Sequence, residues 1–228
     1  MARPLAALGE FDRRLFERLT RREQRTADRL LKRLSNAANR SVLWLSMAAV
    51  LALVGGRSGR RAAARGVVAI SLTSTLVNLP LKYLARRDRP RLMRHRPLVI
   101  SVPGSFSFPS GHSASAFAFT TATALENPRL LPAILPLAAA VAYSRVHLRV
   151  HYPLDVVAGA AIGTGMGLAS GAVVRAGRRW WEATTPLRDD QRPQTNQLIL
   201  IVNPHSGRHE KLDQARKGDA SHGTGGRP

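Results

Sequence analysis

The residue types that could carry out chemistry are concentrated in one polar stretch, residues 144–155, which reads SRVHLRVHYPLD. This stretch lies between two long apolar runs. Cations, histidines and carboxylates at the mouths of membrane-length segments are energetically costly and are kept there mainly for function. The question is therefore which reaction Arg145, His151 and Asp155 could carry out together.

His151 and Asp155 are suited to act as a nucleophile and its orienting carboxylate. If Asp155 accepts a hydrogen bond from one ring nitrogen, it fixes the tautomer and leaves the other nitrogen free to attack an electrophile. Arg145 presents a planar fork of donors that suits a phosphoryl group. Pro153 fits the first turn of a helix, which places Asp155 near a helix start. Taken alone, the spacing fits equally well a basic interfacial loop with an acid at the start of the next helix.

Two further stretches join a polar segment to an apolar run. Residues 82–90 (KYLARRDRP) end one run, and residues 109–112 (PSGH) begin another. Ser110 is a favoured helix cap, Gly111 lets backbone approach a ligand closely, and a helix N-terminus binds anions. The first stretch alone fits an ordinary basic loop, and a simply capped helix would explain Ser110 but not His112.

In order, the three stretches read K-x6-RP, PSGH and SR-x5-H-x3-D, and they resemble the motifs of the type 2 phosphatidic acid phosphatase (PAP2) family, whose core is shared with the vanadium haloperoxidases. The resemblance covers residues 66–174 and fills every motif position. It implies that His151 is the nucleophile and forms a phosphohistidine, that Asp155 orients it, and that His112 protonates the leaving alkoxide and then activates water. It also implies a set of residues that hold the phosphate oxygens: Lys82, Arg89, Ser110, Gly111 and Arg145.

Composition limits the partners and cofactors. The chain carries 35 Lys and Arg against 14 Asp and Glu, a net charge of +21, so its partners are expected to be anionic. Aromatic residues make up only 5%, and no zinc-finger or RNA-binding motif is present, which favours a lipid phosphate substrate and an anionic membrane surface over nucleic acid. Cysteine is absent and no acidic cluster of the Mg²⁺-binding kind occurs, so we expect neither a metal nor another cofactor. The oligomeric state is not predicted.

The apolar residues are grouped in blocks, which indicates membrane spans. The sequence predicts an all-α integral membrane bundle of about five transmembrane helices, at 41–56, 66–84, 114–125, 130–143 and 155–174. A basic turn is predicted at 55–61. In the last span, glycines recur every four residues at Gly159, Gly163, Gly167 and Gly171, which indicates close helix packing rather than a nucleotide loop.

Three domains are expected along the chain. Residues 1–40 are a basic amphipathic helical segment, which either lies on anionic lipid or packs on the protein's own membrane core. Residues 41–181 form the membrane-embedded phosphatase domain. Residues 182–228 are a polar tail, expected to be disordered; its NQLILIVNPHSG stretch resembles the start of a diacylglycerol kinase catalytic domain, truncated and without kinase activity, or is a fortuitous strand-like run.

The resemblance implies a membrane lipid phosphatase that acts on phosphatidic acid, phosphatidylglycerol phosphate or a polyprenyl phosphate or diphosphate. The alternatives are a vanadium-haloperoxidase-like enzyme, which the apolar spans disfavour, and a non-catalytic scaffold or lipid-binding protein. We expect a multi-pass protein of the cell membrane with its site on the extracytoplasmic side, because the basic 57–65 segment and the Arg178–Trp181 anchor then lie inside. The basic N-terminus lies outside in that orientation, against the positive-inside rule.

Overall fold

The computed structural model describes residues 2–21, 25–90 and 104–185 of the chain. In these ranges all regular structure is helical, as the sequence predicts. The α-helices are α1 (Ala2–Thr20), α2 (Arg25–Ala37), α3 (Val42–Val54), α4 (Gly56–Leu76), α5 (Lys82–Ala85), α6 (Gly111–Glu126), α7 (Leu131–His147) and α8 (Pro153–Thr184).

Helices α3, α4, α6, α7 and α8 form the bundle, and each overlaps one of the five predicted apolar runs, although the run predicted at 66–84 continues past α4 into α5. Helix α6 is central and packs against α4, α7 and α8. Small residues cover most of its buried surface, so its neighbours approach closely. Two of the largest buried side chains, Trp44 of α3 and Phe119 of α6, contact each other with ring centroids 5.6 Å apart. Both rings are fully buried.

Length and apolar composition identify three helical segments of the described chain as able to cross a membrane: Gly56–Ala85, Pro128–His147 and Pro153–Thr184. A fourth is possible if α2 and α3, which meet at a 55° bend, count as one broken span. Helix α6 has 16 residues, fewer than the roughly 20 that cross a bilayer, and is not among these segments. The protein is therefore an all-α membrane bundle.

The predicted basic turn at 55–61 is wrong, because α4 already begins at Gly56 and the turn to α3 is much tighter. A Cβ at Gly59 would lie 2.3 Å from the Leu51 carbonyl oxygen, so only glycine allows α4 to start against the end of α3. The arginines of this segment therefore extend a membrane helix. Further along α4, Arg65 reaches Glu126 at the far end of α6 at 2.9 Å.

The glycine pattern in α8 marks its contact with α6, which confirms the packing interpretation. A Cβ at Gly163 would lie 2.1 Å from the Ala114 carbonyl oxygen, and one at Gly159 would lie 2.4 Å from that of Ser110. Helix α8 thus lies directly on the backbone of α6 from its first turn onward. This contact fixes the starts of the two helices beside each other.

A widened π-type turn at Val77–Leu81 separates α4 from α5. Pro80 explains it, because proline lacks an N–H and its ring clashes with the carbonyl four residues earlier. Lys82 follows as the first residue of α5, which ends at Arg86 in the left-handed conformation (φ 43°). Lys82, a predicted site residue, therefore lies at the same end of the bundle as the start of α6.

Helices α1 and α2 pack over this end of the bundle. Asp28 of α2 pairs with His147 of α7 at 2.7 Å, and Phe16 of α1 contacts Tyr152 with ring centroids 5.2 Å apart. Of the two alternatives for the N-terminal segment, packing on the protein is therefore present. Leu8 and Phe11 of α1 stay exposed, so contact of this helix with lipid stays a prediction. The NPHSG stretch and the rest of the tail from residue 186 lie outside the described residues.

Candidate active site

A cavity of about 810 Å³ opens where α6 and α8 begin and α7 ends. Six of the eight predicted site residues line it: Lys82, Arg89, Gly111, His112, Arg145 and His151. The other two, Ser110 and Asp155, are fully buried behind this wall. The opposite wall is formed by residues 36–42, the turn between α2 and α3. The structure thus brings the three separate sequence stretches to one place.

The ring of His151 is held so that one nitrogen faces the cavity side and the other faces Asp155. Its Nε2 lies 3.2 Å from Nη1 of Arg89, which also donates to the Val150 carbonyl at 2.8 Å. Because a guanidinium only donates, Nε2 must carry the lone pair and Nδ1 the hydrogen. This is the tautomer in which Nε2 can act as a nucleophile.

Burial lowers the pKa of His151 to about 4, from an ordinary value of 6.5. The positive charges of Arg89 and Arg145 lower the pKa further, whereas the Asp155 carboxylate opposes the shift. The ring is therefore neutral at neutral pH. A neutral imidazole among cations keeps its lone pair available, and the cations remain free to attract an anion.

Asp155 is the most heavily bonded carboxylate of the site. Its Oδ1 accepts from Arg87 Nη1 at 2.8 Å, and its Oδ2 accepts from the Tyr152 backbone N–H at 2.9 Å and from the Ser107 hydroxyl. The sequence predicts a direct bond from His151, but Nδ1 and Oδ2 are 3.6 Å apart. The Ser107 hydroxyl lies beside both atoms: it bonds Oδ2 and is 3.4 Å from Nδ1. The carboxylate is thus oriented toward the ring without bonding it directly.

The PSGH stretch opens α6 as predicted. The Ser110 hydroxyl accepts from the Ser113 N–H at 3.5 Å, and the Ser110 N–H donates to the Asp155 carbonyl at 2.9 Å. This second bond ties the start of α6 to the start of α8. His112 projects into the cavity, where its Nε2 lies 2.9 Å from Oδ1 of Asn39. Since an amide oxygen accepts, Nε2 of His112 carries a hydrogen that faces the cavity.

In the described part of the chain, four cations line the cavity: Arg40, Lys82, Arg89 and Arg145. Lys82 Nζ lies 3.2 Å from the Ser105 hydroxyl, and Arg89 Nε donates to the Ser105 carbonyl at 2.9 Å. Arg145 is only 2% exposed and bonds the Ser35 hydroxyl through Nη1. Its Nε is buried and has no hydrogen-bond partner among the described residues. An anion in the cavity is the kind of group that would satisfy such a donor.

The sequence matches the PAP2 superfamily over residues 63–179, about half of the chain. The chain belongs to the PAP2 superfamily. The matched range contains all three polar stretches and begins within α4, so α1, α2 and α3 lie outside it. Family membership and the cationic cavity at the end of a membrane bundle support a lipid phosphatase.

Two solved structures are similar to this PAP2 protein. LpxE from Aquifex aeolicus matches with a TM-score of 0.59 and 27% identity, over 69% of this chain and 92% of that one. The first transmembrane PAP2-type phosphatidylglycerolphosphate phosphatase from Bacillus subtilis matches with a TM-score of 0.58 and 20% identity, over 80% of this chain and 90% of that one, and shares the fold. A comparison with curated proteins found no match.

Four residues of the site escape the PAP2 motifs: Asp12, Asn39, Arg87 and Ser107. Arg87 and Ser107 both bond Asp155 and lie in the polar connectors that the sequence marks only as basic or Ser-rich. Asp12 and Asn39 come from the N-terminal segment, outside the family match. Nothing in their spacing distinguishes them from the other polar residues of two amphipathic helices. Only the docking of α1 and α2 reveals them.

Proposed function

We propose that this PAP2 protein hydrolyses a lipid phosphomonoester or diphosphate through a phosphohistidine intermediate. The observation that carries the proposal is the neutral, buried His151, whose Nε2 lone pair lies at a cavity lined by four cations of the described chain. A phosphate bound in this cavity would supply the negative charge that pairs with these cations. Cations and N–H groups can stabilise the spread charge of a transferring phosphoryl group without covalent chemistry of their own.

In the first step His151 Nε2 attacks phosphorus. The N–P bond forms, the bond from phosphorus to the leaving oxygen breaks, and His112 gives its proton to that oxygen. Burial and the cations around the cavity lower the pKa of His112 to about 3 in the absence of phosphate, so its protonated form depends on the negative charge of the bound phosphate. Asp155 stabilises the positive charge that develops on the His151 ring. Lys82, Arg89 and Arg145 would hold the phosphoryl oxygens together with the cap residues Ser110 and Gly111.

In the second step water attacks the phosphohistidine. Neutral His112 takes a proton from the water, the O–P bond forms and the N–P bond breaks. Inorganic phosphate leaves, His151 returns to its neutral form, and the net reaction consumes one water per ester. Proton transfer by a positioned group is worth about 10²–10⁴-fold in rate, so His112 is expected to matter in both steps.

The substrate candidates are phosphatidic acid, phosphatidylglycerol phosphate and polyprenyl phosphates or diphosphates. Phosphatidylglycerol phosphate is the first to test, because the Bacillus subtilis structure of the same fold bears that substrate in its name. The wall at residues 36–42 is polar and includes Asn36, Asn39 and Arg40. It suits a headgroup rather than an acyl chain.

The proposal is tested by phosphate release from detergent-purified protein given these three lipids, with EDTA present. We expect release to continue in EDTA, to be lost in His151→Ala and to persist in His147→Ala. His147 is the matched control, because it pairs with Asp28 on α2 and does not line the cavity. Loss of release on chelation would contradict the metal-free mechanism. No release from any lipid would favour the scaffold alternative, and vanadate-dependent halide oxidation would favour the haloperoxidase alternative.

A further inference from the structure

Asp12 is a fully buried carboxylate on a helix that lies outside the family match. Its Oδ2 pairs with Arg87 Nη2 at 2.5 Å, and its Oδ1 accepts from the Leu154 N–H at 2.9 Å. Burying a carboxylate is costly unless it is paired and fully bonded. Asp12 meets both conditions, and both of its partners belong to the site end of the bundle.

Arg87 links Asp12 to the proposed catalytic pair. The same guanidinium that holds Asp12 through Nη2 holds Asp155 Oδ1 through Nη1 at 2.8 Å. It also lies over the Tyr152 ring, 4.4 Å from the centroid. A guanidinium with one carboxylate on each arm and an aromatic ring beneath it has little freedom to turn. Its orientation toward Asp155 is therefore set partly by Asp12.

Asp12 holds Asp155 by a second route, through the backbone. Leu154 is in the first turn of α8, where backbone N–H groups have no partner within their own helix. Asp12 accepts one of these hydrogens and so acts as a helix cap supplied by α1. Asp155 is the next residue of the same turn. Both the side chain and the backbone of Asp155 are thus anchored, directly or through Arg87, on one carboxylate of α1.

We propose that Asp12 is a positioning residue of the phosphatase reaction, which acts through Arg87 and the first turn of α8 to fix Asp155 behind His151. The inference rests on the proposed function and extends the site to α1. Asp12 does not line the cavity, so it is not expected to touch the substrate. Its loss should slow turnover and leave substrate binding nearly intact.

The test compares Asp12→Asn with Asp28→Asn in the full-length protein. Asparagine keeps the shape of each side chain and removes the charge. Asp28 is the matched control, because it also ties an N-terminal helix to the bundle, through His147, but has no contact with Arg87 or Asp155 among the described residues. For both variants, kcat, KM and the thermal unfolding midpoint are measured with the lipid that the wild type hydrolyses.

We expect Asp12→Asn to lower kcat on the order of 10- to 100-fold, the range found for residues that orient a reacting group from outside the first contact shell. KM should change less than about twofold, since only turnover is affected. Asp28→Asn should keep kcat within about twofold of wild type, even if its unfolding midpoint falls as far as that of Asp12→Asn. Equal kcat in Asp12→Asn and wild type would overturn the inference.

A double-mutant cycle separates positioning from general destabilisation. In an Arg87→Gln background, Asp12→Asn should cost less than about twofold more in kcat, because the route through Arg87 is already broken and asparagine can still accept from the Leu154 N–H. The same full loss in both backgrounds would overturn the proposed route through Arg87. An inactive wild type would refute the proposed function, whereas an active wild type with unchanged Asp12→Asn would refute only the role of Asp12.

Discussion

The charge state of His151 follows from where its ring is placed. The side chain is only 2% exposed, and the group nearest to Nε2 is the positively charged guanidinium of Arg89, which can only donate a hydrogen. Both facts disfavour the imidazolium, because burial penalises charge and like charges repel. Asp155 favours it, but its Oδ2 lies 3.6 Å from Nδ1 and already accepts from the Ser107 hydroxyl. The balance is a ring that stays neutral until acidic pH.

We therefore predict that His151 titrates near pH 4 in the folded protein. The measurement is a pH titration of the ¹⁵N-labelled histidine rings without substrate, in which the signal of interest is the one lost in His151→Gln. An unfolded chain takes up this proton near pH 6.5, so between 6.5 and about 4 the unfolded state binds more protons than the folded state. This group thus makes the fold less stable as the pH falls through that window.

The choice of a substrate-free titration matters, because the substrate phosphate itself ionises near pH 6 and would shape any pH–rate profile. His147 serves as the internal comparison, since the same labelled sample reports both rings. Titration of the His151 signal at or above pH 6.5 would contradict the prediction. It would mean that Asp155 outweighs burial and the two arginines, and that the resting ring is not a free nucleophile.

Arg145 is a cation of the same site that is also buried at an energetic cost. A buried donor without a partner costs about 1–3 kcal/mol, and Arg145 Nε is such a donor among the described residues. The fold accepts this cost at the wall of the proposed phosphate cavity. A donor that binds an anionic substrate is expected to lack a hydrogen-bond partner when the site is empty.

At the scale of elements, the contact between α6 and α8 sets the site, because each helix carries a proposed site residue in its first turn. A Cβ at Gly163 would lie 2.1 Å from a backbone oxygen of α6, whereas a Cβ at Gly165 would meet nothing within 4 Å. The two glycines lie on the same helix, two residues apart and on different faces. Replacing each of them by alanine therefore separates the effect of helix propensity on stability from the effect of helix packing.

We predict that Gly163→Ala lowers the free energy of unfolding by about 1–3 kcal/mol, as overpacking does in a tight core. Gly165→Ala should raise it by up to about 1 kcal/mol, since alanine favours a helix more than glycine does. The measurement is the thermal midpoint of both variants in the same detergent, together with phosphate release. An equal change in the two midpoints would contradict the packing argument.

The helices of the bundle were predictable because apolar runs and glycine spacing are local signals. The start of α4 was not, because the sequence GGRSGRR has the composition of a turn, and only the contact of Gly59 with the α3 backbone shows that it is helical. The docking of α1 was not predictable either. Its amphipathic pattern suits a lipid surface and a protein surface equally well, and the buried Asp12 has no sequence signal.

The same limit applies to the site. The three motifs led to residues that share one cavity, since each motif is short and local. The bonds that orient them were missed, because Arg87 and Ser107 act across long separations in the chain: Arg87 lies 68 positions from Asp155 and Ser107 lies 48. Spacing along a sequence carries no record of such contacts. Catalytic roles for the predicted residues stay predictions until variants are measured.

At the scale of the whole molecule, the two ends of the bundle differ. One end carries the cavity together with α1 and α2. The other carries Arg65 against Glu126 and, further along α8, the exposed Arg178 and Trp181. Arginine and tryptophan together at a helix end are typical of a membrane interface. Both ends are basic, so the positive-inside rule applied to α8 and applied to residues 1–40 gives opposite orientations.

We predict that the cavity end faces outward and the α8 end faces the cytoplasm. The arginines of α4 and α8 extend membrane helices directly, where the rule applies most strongly, whereas part of the N-terminal positive charge is neutralised within its own helix, as in the Glu10–Arg14 pair. The chain has no cysteine, so single cysteines report without background. Glu17→Cys marks the cavity end, and Gly177→Cys, in open space on α8, marks the other.

The measurement is labelling of intact cells with a membrane-impermeant maleimide, before and after permeabilisation. We expect Glu17→Cys to react in intact cells and Gly177→Cys to react only after permeabilisation, with both variants still releasing phosphate. The reverse pattern would place the cavity in the cytoplasm and make the charge of residues 1–40 decisive for topology. Lipid phosphates of the inner leaflet would then be the substrates to test, because the cavity can draw only on the leaflet it faces.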